Sequence, residues 1–90
     1  MNAIKKYFEE LGSDPKIKDY FESLIGLEIS EAHKRLGRWW VCAGLCCHDY
    51  QFERAAGGYV QLRTNEKNIV VSEHHNGYAL LYAKSDIYGH

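Results

Sequence analysis

The sequence predicts an α+β fold: an N-terminal helical hairpin and one long central helix, packed on a three- to four-stranded antiparallel β meander. Three observations carry this. Apolar residues recur every three or four positions as far as Tyr50, the spacing of one helix face. From Tyr59 the repeat shortens to two, the period of a half-buried strand. Between the last two such runs stands Asn76-Gly77, a dipeptide favoured in two-residue hairpin turns. Residues 1–50 are thus expected to be mainly helical, 51–84 mainly β and 85–90 an irregular tail, within one domain of 90 residues.

The helical hairpin follows from a short repeat. Ile4 to Leu11 and Ile17 to Leu24 agree at six of eight positions, offset by 13 (17 − 4). Each copy places apolar residues at its first, fourth, fifth and eighth positions. In one continuous helix, at about 100° per residue, the second stripe would lie roughly 220° from the first. The chain must therefore break for both stripes to reach one core. Gly12 is the expected stop, Asp14 or Ser13 the N-cap, and Pro15 a first helical residue.

The long helix is expected from Ile29 to Tyr50, with Ser30 as N-cap and a stripe through Ala32, His33, Leu36, Trp39, Trp40, Ala43, Cys46, Cys47 and Tyr50. Its first half has a polar back, made by Glu31, Lys34, Arg35 and Arg38. Its second half has none, since Val41, Cys42, Gly44 and Leu45 are uncharged. A helix apolar all round is buried all round. Val41 and Leu45 therefore need cover, from the helical hairpin or from a second copy of the chain. The competing reading is a buried strand from Trp39 to Cys47. It fits the length of the run, but only Val41 in it is β-branched.

Strands are expected from Tyr59 to Thr64, Asn68 to Glu73 and Tyr78 to Lys84, with a short one over residues 50–54. A tight Asn76-Gly77 turn would set Tyr78 opposite His75, Leu80 opposite Glu73 and Tyr82 opposite Val71. That collects Tyr59, Arg63, Glu73, His75, Tyr78 and Tyr82 on one wet face. Tyrosine and arginine are enriched at binding surfaces and lysine is depleted.

Composition weighs against several classes. A net charge of −1 gives no electrostatic footprint for nucleic acid, and no apolar run reaches the roughly 20 residues of a membrane span. The N-terminus enters amphipathic sequence directly, so no signal peptide is expected. Three cysteines within six residues (Cys42, Cys46, Cys47) cannot staple distant loops, and they read as reduced thiols of a cytoplasmic core. Cys47-His48-Asp49 is no triad, because neighbours on a helix do not face one another. No phosphate loop or nucleophile elbow is present, so neither an enzyme nor a cofactor is expected.

The expectation is a cytoplasmic protein-binding module, an inhibitor or adaptor acting stoichiometrically through the tyrosine-bearing sheet face. The alternatives are a metal- or thiol-dependent site at Cys42, Cys46 and His74, whose spacing fits no zinc module, and single-strand nucleic-acid binding by stacking on the sheet.

Overall fold

The computed structural model describes residues 3–46 and 48–89. In chain order it contains α1 (Ala3–Ser13), α2 (Pro15–Glu22), α3 (Ile29–Leu36), β1 (Trp40–Cys46), β2 (Asp49–Glu53), a 3-10 turn (Ala55–Gly57), β3 (Tyr59–Thr64), β4 (Val70–His75) and α4 (Gly77–Tyr88). The strands form one antiparallel sheet in the order β1-β2-β3-β4. The α+β class, the N-terminal helical pair and the antiparallel meander are as expected. Among the described residues no helix is long and apolar enough to cross a membrane.

The chain breaks between the two repeats, one residue later than expected. α1 runs through Gly12, and Asp14 caps α2 by accepting a hydrogen bond from the Lys16 amide at 2.8 Å, with Pro15 opening the helix. The repeats are not buried equally. Ile17, Phe21 and Leu24 are sealed, whereas Ile4 and Tyr7 of the first copy lie exposed.

Two expectations are corrected. The central helix ends at Leu36. Gly37 takes a φ of +65° and its amide donates to the His33 carbonyl, the C-terminal stop that glycine allows. Glu28, not Ser30, is its N-cap. Residues 40–46 are then a strand. An apolar run bearing a glycine suits a buried helix and a strand alike, and the strand prevails because β2 pairs with it. Trp39, at the junction, is buried against the helices.

The second correction concerns Asn76-Gly77, which forms no hairpin. Asn76 caps α4: its side-chain oxygen accepts from the amides of Ala79 and Tyr59, each at 3.1 Å, and its amide group donates to the Gly57 carbonyl at 2.7 Å. Asparagine favours caps as well as turns. Residues 77–88 are therefore helical, in place of the third expected strand and the irregular tail. Small residues suit this helix, since Ala79 and Ala83 are fully buried.

Strand register sorts the two sheet faces. Phe52 pairs with Val60 and Val60 with His75, while Tyr50 pairs with Leu62 and Leu62 with Glu73. Directly opposed residues share a face, and this one packs on the helices around Phe21, Leu24, Leu36 and Trp39. The other face carries Asp49, Gln51, Glu53, Tyr59, Gln61, Arg63 and His74.

Candidate functional site

The expected tyrosine-bearing face does not assemble, because its register depended on the hairpin. Tyr59 and Arg63 stand on the face away from the helices. Tyr59 lies beside His74, with ring centroids 6.4 Å apart. Arg63 is held by the Asp49 carboxylate at 2.7 and 3.2 Å. Glu73 and His75 do meet, but on the covered face. The His75 Nδ1 lies 2.5 Å from a Glu73 carboxylate oxygen, and the imidazole stacks on Phe21 at 3.9 Å. Tyr78 and Tyr82 belong to α4. Tyr78 is exposed and meets Phe8 edge-on. Tyr82 packs edge-on against Trp39, and a Cβ on Gly58 would come within 2.6 Å of its ring. The six residues therefore divide among three surfaces. The stacking-platform reading loses its geometry too, since it required Tyr59, Tyr78 and Tyr82 side by side.

The thiol reading changes similarly. Cys42 is exposed, and its thiol donates to the Glu53 carboxylate. That hydrogen bond holds the thiol above its usual pKa and Glu53 below its own, so Cys42 is less readily a thiolate. Glu53 also accepts from the Gln51 side chain at 2.7 Å, and Gln51 in turn accepts from Gln61 at 2.9 Å. The Cys46 side chain and all of Cys47 lie outside what the structure describes. Among the described residues no three His, Cys, Asp or Glu side chains converge as a metal site.

A different feature stands out. β1 is the edge of the sheet. Trp40 is 50% exposed, Val41 is 42% exposed, and the seven residues of β1 include no charge and no proline. Natural edge strands normally carry charge, proline or a cover, because unpaired amides and carbonyls recruit other strands. β1 has only bulges. Its register against β2 slips between Val41 and Ala43 and again between Gly44 and Cys46.

The edge is flanked by an apolar notch. Val41 pairs with Phe52 on the helix side. With Tyr50 and Phe52 beneath, and Ile29, Ser30 and His33 of α3 alongside, it borders a hollow of about 170 Å³. That volume accepts one aliphatic side chain of the valine-to-leucine class. Trp40 pairs with Glu53 on the opposite face, so an incoming strand would meet an aromatic surface on one side and a notch on the other.

The root of the edge is tied to the helices by polar contacts. The Trp39 Nε1 donates to the Tyr20 hydroxyl at 3.0 Å, and that hydroxyl donates to Asp86 at 3.0 Å. Arg54 pairs with Asp86 at 2.9 Å and lies over the Tyr82 ring at 4.4 Å. Burial pushes the Tyr20 hydroxyl up to about 12. Sequence reasoning missed this cluster, since its members come from four separate segments and Asp86 fell in the supposed tail.

No protein-family model, curated protein or solved structure matches this chain. The functional reading rests on the geometry alone.

Proposed function

We propose that the protein is a stoichiometric binding module that takes up an extended segment of a partner protein by strand addition at β1. One observation carries this: a seven-residue edge strand with exposed Trp40 and Val41 and no charge. Strand addition gains affinity from main-chain hydrogen bonds and specificity from pockets that receive alternate side chains. β1 offers both, through its outer edge and the notch beside Val41. The partner segment is uncharged where it lies on β1 and places one aliphatic side chain in the notch. Exposed, protonated Cys42 suits a reducing, cytoplasmic setting.

The second reading is pairing of β1 with β1 of another copy. A two-fold interface must be self-complementary, and an uncharged strand meets its own copy without repulsion. Capture from native extract tests both, run with wild type, Val41→Lys and Tyr78→Ala, alongside light scattering of each protein. A partner retained by Tyr78→Ala and lost with Val41→Lys supports strand addition. A dimer abolished by Val41→Lys supports self-pairing. Identical capture by all three proteins, with all three monomeric, contradicts a β1 interface.

A further inference from the structure

Away from β1, a half-open cleft of about 420 Å³ lies between α2, the end of α3 and the end of α4. That is within the usual range of small-molecule sites, roughly 300–1,000 Å³. Its floor is apolar: Leu24 and Leu36 are buried, and Ile87 packs against the same core. Its rim carries two cations, Lys16 and Arg35, against a single acid, Asp19. Arg35 donates to the Ser23 hydroxyl at 2.9 Å, and among the described residues no carboxylate pairs with it. Lys16 lies over the Tyr88 ring at 5.3 Å. A guanidinium presents five donors in a planar fork suited to a carboxylate, and a single hydroxyl leaves most of them to solvent.

We infer that this cleft binds a carboxylate carried on a compact apolar body. The body lies on Leu24, Leu36 and Ile87, and the carboxylate is received by Arg35 with Lys16 beside it. A free organic acid and the C-terminus of a peptide ending in an aliphatic residue share this chemistry.

The structure supplies its own reporter. Tyr20 lines the cleft and accepts the Trp39 indole N–H, whereas Trp40 is exposed on the sheet. In ¹⁵N-labelled protein, hexanoate should shift the Trp39 indole signal saturably and leave that of Trp40 in place, with Trp40→Phe assigning the two. Hexanamide lacks the charge and acetate lacks the body, so each should bind at least about tenfold more weakly. Arg35→Gln should weaken hexanoate by a similar factor without altering unfolding. An acetylated tripeptide ending in leucine, compared with its C-terminal amide, separates the two sources. Tighter binding of the peptide acid than of hexanoate assigns a chain terminus, and the reverse assigns a free acid. No saturable shift, equal affinity for hexanamide, or unchanged binding by Arg35→Gln overturns the site.

Discussion

The two edges of the sheet receive opposite treatment. β4 is closed by the chain itself at its Val70 end. The Gly26 amide donates to the Val70 carbonyl and the Val70 amide to the Leu27 carbonyl, both at 2.8 Å, and Glu28 bridges to Ile69. Farther along, Phe21 stacks on His75 beside the Glu73 carboxylate, on the face of the strand rather than along its edge. β1 has none of this. Among the described residues no backbone hydrogen bond from outside the β1–β2 ladder reaches it, and no charge guards it. That the cover lies on β4, while the apolar strand stays bare, is what makes β1 the functional candidate.

The largest effect expected on this contrast comes from neighbouring tryptophans. Trp39→Ala removes the buried root of β1 and should cost about 3–5 kcal/mol. Trp40→Ala, on the exposed edge, should stay within about 0.5 kcal/mol. Urea denaturation of both variants checks this, and equal losses would mean that Trp40 is core.

The closed edge is probed next. Gly26 holds a φ of +96° while its amide bonds to Val70. Gly26→Ala should therefore cost about 1–2 kcal/mol by backbone strain, although a Cβ there would touch nothing within 4 Å. A neutral result would show that the β4 cover is loose.

The anchoring cluster gives a pH signature. Burial raises Tyr20 from 10.0 to about 12 in the folded chain. Its neutral form is thus favoured by folding, a contribution fully present below pH 10 and lost as pH rises towards 12. Stability should fall more steeply over that window in wild type than in Tyr20→Phe. Parallel curves from denaturation at each pH would remove Tyr20 from the anchor. The smallest expected change in stability is that of Val41→Lys, within about 0.5 kcal/mol, combined with loss of the β1 partner.

How much was legible in the residues can be judged from the same two edges. Asp14-Pro15 marks the break between α1 and α2, and alternation from Tyr59 to Thr64 and the β-branched centre Ile69-Val70-Val71 mark β3 and β4. The sequence predicts cover for Val41 on a helix buried all round, whereas the structure leaves Val41 exposed on an edge strand. The strand is the second reading of this run because only Val41 in it is β-branched and its apolar residues continue the helical spacing, yet an uncharged run is buried equally well as helix or strand. Gly37 decided the matter through its positive φ, a property that the residue permits but does not announce. Asn76 was read as a turn and acts as a cap, which moved Tyr78 and Tyr82 onto a helix and dissolved the expected face. Glu73 and His75 share a face as the alternation predicts, but it is the face that packs on the helices. The Arg54–Asp86–Tyr20 cluster is a tertiary meeting with no local pattern.

Amide hydrogen exchange along β1, in the free chain at micromolar concentration, tests the open edge most directly. An unpaired edge predicts fast exchange at alternate β1 amides, those directed away from β2, with slow exchange at Gly26 and Val70. Protection of every β1 amide to the level of β3 would show that something already covers the strand, and strand addition at β1 would be wrong.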